Sequence, residues 1–593
     1  MMLASLLHAS LSFPGPVHLH PQIHFAPSVV SEHGGWHDIA GAFTHKGLHH
    51  IFQGQGWNHA TSQDLVTWSV APHGPKPIHE TYKGMDSYTD PCSGFVTQDE
   101  DGTVCAGFRQ CFSNHGINAT GFQSWDVPLE LRCALDDDLK RWAITPDYLF
   151  NVTFYRPVPY DPARPWREKD GYWYVLLSFD HCNATTKALP CESGGMLVMW
   201  RSPTLRGPHA DWQYVGPVFT SNATVLPEGS LTKEFVTIDY IGRLAGDPST
   251  APLGTRVFLN NVGGNGGGVG CCSGTTSYFI VEQSHPGARL IETAPQGMVD
   301  WGAFRLRQPT DRRASQLSDG EWWRNLKTSQ QTGKVQVLGA MNAPRAFAHK
   351  SSPTAHLDGT GTRGLSMART LGSSSADQVS EPGRRVLIGW VGPGDGWVFE
   401  GHGSAQSLPR DLSLAPDRSL RQAFVPELQA LRSDEMHWSG WDAWQPIAAG
   451  LQAEVFASFP ASCSASSARC GVSILGDGFV QTSIVLSSDL GLVVVDATRQ
   501  GNSALRAGPL PAAATDEKGL SGSTPAWQVH IYVDHSIIEV IVSNATALVV
   551  YAQPSKDASR IQLIGAPADA SGAELRVWPL RAPGHVCTVS RNS

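Results

Sequence analysis

Residues 527–553 read WQVHIYVDHSIIEVIVSNATALVVYAQ, three consecutive runs rich in Val, Ile and Tyr with turns between them. Such residues fit a pleated, partly buried surface, so the stretch predicts three successive strands. The pattern continues on both sides. AEVFASF, GVSILG, TSIVLSS and LGLVVVDA precede it and RIQLIGA follows it. Eight strand-like runs within roughly 150 residues are the pattern of a β-sandwich, assigned here to residues 436–593.

Towards the N-terminus, PRDLSLAPDRSLRQAFVPELQALR (409–432) interrupts these runs and ends in a stretch with helical character, Pro426 to Arg432. Residues 413–435 read as a linker. Earlier, from Ile23 to Trp397, short apolar or alternating stretches recur between Gly, Pro, Asn and Asp: GLHHIFQG, DGYWYVLLSFD, GGMLVMWRSP, TRVFLNN, TSYFIVEQ and RRVLIGWVG. Hardly any segment holds a clean helical period. Small, widely spaced strands suit a propeller or a sandwich, so residues 20–412 are read as a second all-β domain. Residues 1–19 carry a short apolar stretch without a basic start or a clear cleavage site, and read as a weak or truncated signal segment.

Composition agrees with an all-β chain. Only 16% of the 593 residues are charged, whereas Gly (60), Pro (40) and Trp (19) are abundant. The net charge of -9, without any Lys/Arg-rich run, argues against nucleic acid and anionic membranes as partners. No apolar run reaches the length of a membrane helix. Neutral polyhydroxylated ligands, held by aromatic faces and hydrogen bonds, suit this chain better. The eleven cysteines include no CxxC pair, so no zinc site is indicated. Cys463 and Cys470 bracket a short loop and read either as a hairpin disulfide or as two buried thiols. Sequons at Asn118, Asn151, Asn183, Asn222 and Asn544 lean towards glycosylation and a secreted or vacuolar protein.

Familiar catalytic signatures are missing: there is no GxSxG, HExxH or GxxxxGK[ST], and VGGNGGGVG (262–270) reads as a flexible loop. His18, His20 and His24 alternate as metal ligands on a strand could, but no carboxylate or cysteine pattern accompanies them. What remains are carboxylates in apolar, aromatic surroundings, the setting that separates an acid from a base. Asp38 lies in GGWHDIAGAF, Asp161 in PYDPARPW and Glu234 in SLTKEFVTIDY. Taken singly, each also reads as a solvated loop residue.

The order of these segments resembles glycoside hydrolase family 32, the β-fructofuranosidases that include invertases, inulinases and levanases. HFAPSVVSEHGGWHDIAG is similar to the family's nucleophile segment, W-x-N-D-P-N-G, through His24, Phe25, Pro27, Trp36, Asp38 and Gly41. GLHHIFQGQGWNHATSQDLVTW resembles the next two segments through Gln53, Trp57, His59, Ser62, Asp64, Leu65 and Trp68. PCSGF keeps Ser93 and Gly94 of W-S-G-S. YDPARPW aligns Asp161 with the family's R-D-P motif, and LTKEFVT aligns Glu234 with the acid/base of W-E-C-P-D.

The resemblance, which covers about residues 20 to 580, implies a five-bladed β-propeller with the active site in its central funnel, then the sandwich. It implies Asp38 as nucleophile, Glu234 as acid/base and Asp161 as transition-state stabiliser. Trp36, His37, Gln53, Trp57, Ser93, Tyr160 and Arg164 are the expected substrate contacts. The substrate would be sucrose or a fructan, with no cofactor and no metal.

Departures surround the kept carboxylates. His37, Ile39 and Ala40 replace the family's asparagines and proline, Tyr160 replaces an arginine, Phe235 a cysteine, and Thr237 stands where an Asp is usual. A tyrosine cannot supply the five donors of a guanidinium. The alternatives to a β-fructofuranosidase are therefore a non-catalytic carbohydrate-binding relative, a fructosyltransferase, or a furanosidase with another substrate.

Overall fold

The computed structural model describes residues 19–26, 39–53, 57–71, 89–112, 129–143, 147–150, 162–180, 195–207, 210–220, 235–247, 249, 253–262, 276–299, 303–306, 335–338, 341–348, 384–391, 405–460, 470–500, 505–513, 526–565 and 572–585. Nearly all of its regular structure is strand. The first sheet joins β1 (Ile39–His45), β2 (Leu48–Gln53), β3 (Asn58–Ser62) and β4 (Ser69–Val70) in sequence order. The same antiparallel meander recurs in β5 (Thr89–Gln98), β6 (Val104–Phe112), β7 (Leu129–Cys133) and β8 (Asp147–Phe150), and in β9 (Trp166–Arg167), β10 (Trp173–Asp180), β11 (Gly195–Ser202) and β12 (Gln213–Thr220). A fourth sheet holds β13 (Phe235–Gly242), β14 (Thr255–Val262), β15 (Thr276–Glu282) and β16 (Ile291–Met298). After β17 (Ala303–Leu306) and β18 (Val335–Leu338), the fifth consists of β19 (Met341–Ala348), β20 (Arg385–Val391), β21 (Ala405–Gln406), β22 (Arg410–Leu414) and β23 (Leu420–Phe424).

Local chemistry explains the tight connections. Lys46 and Gly47 join β1 to β2 with φ of 50° and 82°, the left-handed pair that matches the twist of a two-residue hairpin. Gly94 of β5 lies so close to β6 that a Cβ would stand 2.0 Å from the Gly107 carbonyl oxygen. Only glycine fits there.

The five sheets are blades, because each packs on the next through an apolar face. Phe43, Phe52 and Trp57 meet Val96, Val104 and Phe108 between the first and second. Leu129 and Leu131 meet Trp173 and Val198 between the second and third, and Leu176 and Met199 meet Phe258 and Phe279 between the third and fourth. Leu259 and Ile280 pack on Leu387 and Leu412, and Val386 and Ile388 pack on Ile39 and Ile51, which closes the ring. The expected five-bladed propeller is present.

The C-terminal strands are β24 (Met436–Ser439), β25 (Ile447–Ala448), β26 (Gln452–Pro460), β27 (Cys470–Gly476), β28 (Thr482–Ser487), β29 (Leu492–Asp496), β30 (Leu505–Pro509), β31 (Ala526–Asp534), β32 (Ile537–Val542), β33 (Thr546–Tyr551), β34 (Arg560–Ile564) and β35 (Glu574–Pro579). They form the expected sandwich. One sheet runs β24-β35-β26-β31-β32-β33 and the other β18-β17-β30-β29-β28-β27-β34-β25. The six-stranded sheet is a middle layer. Its Val529, Ile531, Ile538 and Val540 point into the sandwich core, whereas Tyr532, Ile537, Ile541 and Val549 enter clusters shared with the propeller. A sheet covered on both faces needs apolar residues at odd and even positions, which is why IIEVIV is nearly continuous rather than alternating.

Two boundaries differ from the sequence reading. Arg410–Leu414 and Leu420–Phe424, placed across the start of the linker, pair as a hairpin of the fifth blade with alternating burial. Pro416 and Asp417 sit in the turn of that hairpin. The connection proper holds a 3-10 helix, Pro426–Leu431, after which Arg432 donates to both oxygens of Glu454. In addition β17 pairs with β30, so a segment between the fourth and fifth blades extends a sandwich sheet.

Candidate active site

In four of the five blades the first strand lies innermost; in the third it is the second strand, β10, that packs beside β13. β1 packs beside β5 and β19, and β13 packs beside β10 and β19. Since those four blades then proceed outward as antiparallel meanders, their first strands run in one sense and begin at the same end of the ring. All four carry one extra residue near that beginning. The register shifts between Ile39 and Gly41 in β1, Pro91 and Gly94 in β5, Phe235 and Thr237 in β13, and Asn342 and Arg345 in β19. Bulges of this kind recur at rims and beside active sites, where they redirect the chain.

Asp38, Asp161 and Glu234 lie outside the described residues, as do Trp36, His37 and Tyr160. Their chain neighbours are described. Asp38 directly precedes Ile39 at the start of β1, and Glu234 directly precedes Phe235 at the start of β13. Asp161 precedes Pro162, on a segment where the Ala163 N–H donates to the Leu176 carbonyl of β10. Gln53 ends β2 with Ile39 as its cross-strand partner, and Ser93 falls within the bulge of β5. Arg164 is half-buried beside this segment.

Trp57 requires a correction. It was expected to face the sugar, but its ring is 0% exposed between the first two blades, edge-on to Phe108 at 5.5 Å. A side chain with no accessible surface packs the core and offers no sugar platform. His59 shares that core. Its ring stacks on Phe52 at 4.2 Å and its Nε2 lies 2.9 Å from His50 Nδ1. Burial, with smaller contributions from His45 and His49, pushes the His50 pKa down to about 3, and burial also holds His59 well below the usual imidazole range. These are neutral core histidines. Among the described residues no cluster of His, Cys, Asp and Glu could hold a metal.

His24 has a role that sequence reasoning missed. Its backbone N–H donates to Asp534 at 2.8 Å, its Nδ1 lies 2.9 Å from the same carboxylate, and its Nε2 lies 3.1 Å from Glu539. Glu539 also accepts from the Leu408 N–H at 2.7 Å and from Arg410 at 2.7 Å. All four side chains are fully buried. A clue was available, since a lone Glu inside IIEVIV calls for a buried partner. A disulfide was also missed: Cys105 and Cys133 face each other across β6 and β7. Cys470 is disulfide-bonded, and Cys463, its expected partner, lies outside the described residues.

The described residues define a five-bladed propeller followed by a β-sandwich. The sequence profile described as "Glycosyl hydrolases family 32 C terminal" matches residues 427–579. "Beta-fructofuranosidase, insoluble isoenzyme 2" of Oryza sativa subsp. japonica is 28% identical over 235 residues, 35% of this chain and 36% of that enzyme. The match therefore spans about a third of the curated relative's length. Aspergillus kawachii beta-fructofuranosidase superposes with a TM-score of 0.64 at 14% identity, covering 96% of this chain and 95% of that one. The fructosyltransferase from A. japonicus superposes with a TM-score of 0.63 at 15% identity, covering 96% of each. Residues 427–579 thus match the C-terminal part of glycoside hydrolase family 32, and the chain as a whole shares the fold of these solved structures.

Proposed function

We propose that the protein is a retaining glycoside hydrolase that releases terminal β-fructofuranosyl units from sucrose or fructans. The observation that carries this reading is positional: Asp38 and Glu234 each immediately precede an inner propeller strand that opens with a bulge. In this mechanism an Asp38 oxygen attacks the anomeric carbon as the glycosidic bond breaks, and Glu234 gives its proton to the departing oxygen. Glu234 then takes a proton from water, whose oxygen displaces Asp38 and frees fructose. Two carboxyls about 5 to 5.5 Å apart suit such a double displacement. Asp161 stays ionised and holds ring hydroxyls as positive charge develops.

A second reading, a sugar-binding relative without turnover, is favoured by Tyr160, His37, Ile39 and Ala40 beside the carboxylates. One assay decides between them. Purified protein is incubated with sucrose, inulin and levan and compared with Asp38→Asn and Glu234→Gln. Fructose release by the wild type, reduced at least about 10³-fold in either variant, supports the hydrolase; no release by the wild type rejects it. New oligosaccharides at high sucrose would mark transfer as the main reaction.

Passage through the secretory pathway belongs to the same proposal. Cys105–Cys133 suits an oxidising compartment, and Asn544 of the sequon Asn544-Ala545-Thr546 is exposed at a hairpin tip. Among the described residues, no helix is long and apolar enough to cross a membrane.

A further inference from the structure

The strap 22–25 is held from several sides. Asp534 of the sandwich accepts from the N–H groups of Gln22, Ile23 and His24 at 2.9, 2.8 and 2.8 Å. The Phe25 carbonyl accepts from the Gln406 N–H at 2.9 Å in the fifth blade, and Glu539 ties His24 to Arg410 and Leu408 of that blade. Arg410 Nη1 donates to Gln422, which donates to the Val299 carbonyl. With both ring nitrogens facing carboxylates, His24 is an imidazolium, so the quartet holds two cations and two anions.

Ile23 and Phe25 flank His24 and pack in one cluster with Ile39, together with Val386 and Ile388 of the fifth blade and Tyr532 and Ile541 of the sandwich. Ile39 is the residue next to Asp38. The start of β1 therefore shares an apolar cluster with a strap whose position is fixed by sandwich carboxylates.

We infer that Asp534, Glu539, His24 and Arg410 are positioning residues for the nucleophile strand, so that the sandwich is a working part of the catalytic unit. Their action runs through the Ile23–Phe25 strap to the Ile39 backbone, and none of the four needs to touch sugar. This rests on the hydrolase reading for its kinetic consequence, though its structural part does not.

Glu539→Gln keeps shape and weakens the grip on His24 and Arg410. Its control is Val472→Ala, a cavity variant in the sandwich core at 0% exposure. Both are compared at a temperature where all are folded, reading kcat and KM on sucrose and hydrogen–deuterium exchange over residues 36–43. Glu539→Gln should lower kcat by about 10- to 100-fold with KM nearly unchanged, because a displaced reacting group costs that order of rate. Exchange at residues 39–42 should rise as well. Val472→Ala should alter neither. A kcat loss no larger than the control's, or unchanged exchange at 39–42, overturns the inference. Arg410→Lys, which keeps the charge but loses the forked donor, gives the same readings more mildly if Glu539→Gln does not fold. Should the wild type release no fructose, the hydrolase reading falls and exchange alone still decides the positioning.

Discussion

His24 and His50 are both buried, yet their environments move them in opposite directions. Burial alone would lower His24, but the hydrogen bonds and charges of Asp534 and Glu539 outweigh it and raise the pKa to about 9. Among the described residues no carboxylate offsets burial at His50, which falls to about 3. The linkage follows from these signs. Below pH 6.5 the unfolded chain takes protons that His50 and His59 refuse, so stability falls with acid by about 1.4 kcal/mol per pH unit for each. The stability contributed by His24 is complete below 6.5 and is lost as pH rises through about 9. Urea midpoints between pH 4 and 7 should decline less steeply in a His50→Phe/His59→Phe variant than in the wild type. An unchanged slope would mean that these histidines are protonated in the native protein.

At the scale of elements, β32 shows what a covered sheet demands. Ile538 points into the sandwich core and Ile541 towards the propeller, both buried. Ile538→Ala and Ile541→Ala should each destabilise by about 2–5 kcal/mol in denaturant titration, since each leaves a cavity. A neutral result for either would mean that one face of the sheet is not packed. The strand runs were legible because β-branched residues mark strands whichever side they cover. The layer between two partners was not, since a continuous apolar run does not reveal what lies on each face. The hairpin of β22 and β23 was misplaced for a local reason. Its Pro416-Asp417-Arg418 turn, with Arg418 at φ 66°, has the composition of a linker. Similarly, Trp57 looked like a sugar platform, because a tryptophan between Gly56 and Asn58 carries no sign of whether its ring turns to a pocket or to a core. Motif order alone proposes the acid/base and nucleophile segments, whereas the His24 quartet joins residues from distant parts of the chain that no local pattern connects.

For the molecule as a whole, propeller and sandwich share two apolar clusters and one buried ionic quartet. Domains so joined should unfold together. Calorimetry of the intact chain is expected to show one transition. A chain ended at Phe424 loses the cover of Ile23, Phe25, Leu408 and Leu412, and should be recovered aggregated or molten. Two separate transitions, or a well-folded 1–424 fragment, would contradict this unity.

The strap imposes an order on synthesis. His24 lies 510 residues from Asp534, the carboxylate that holds it. At roughly 5–20 residues per second, translation takes about 25 to 100 s to deliver that partner after the strap itself has been made. Until then Ile23 and Phe25 have no sandwich to pack on, and the seam between the first and last blades lacks its outer cover. The ring can gather its blades as they appear but is fastened only near the end of the polypeptide. For that interval the nascent chain presents a sticky N-terminal segment, a natural place for a chaperone to bind.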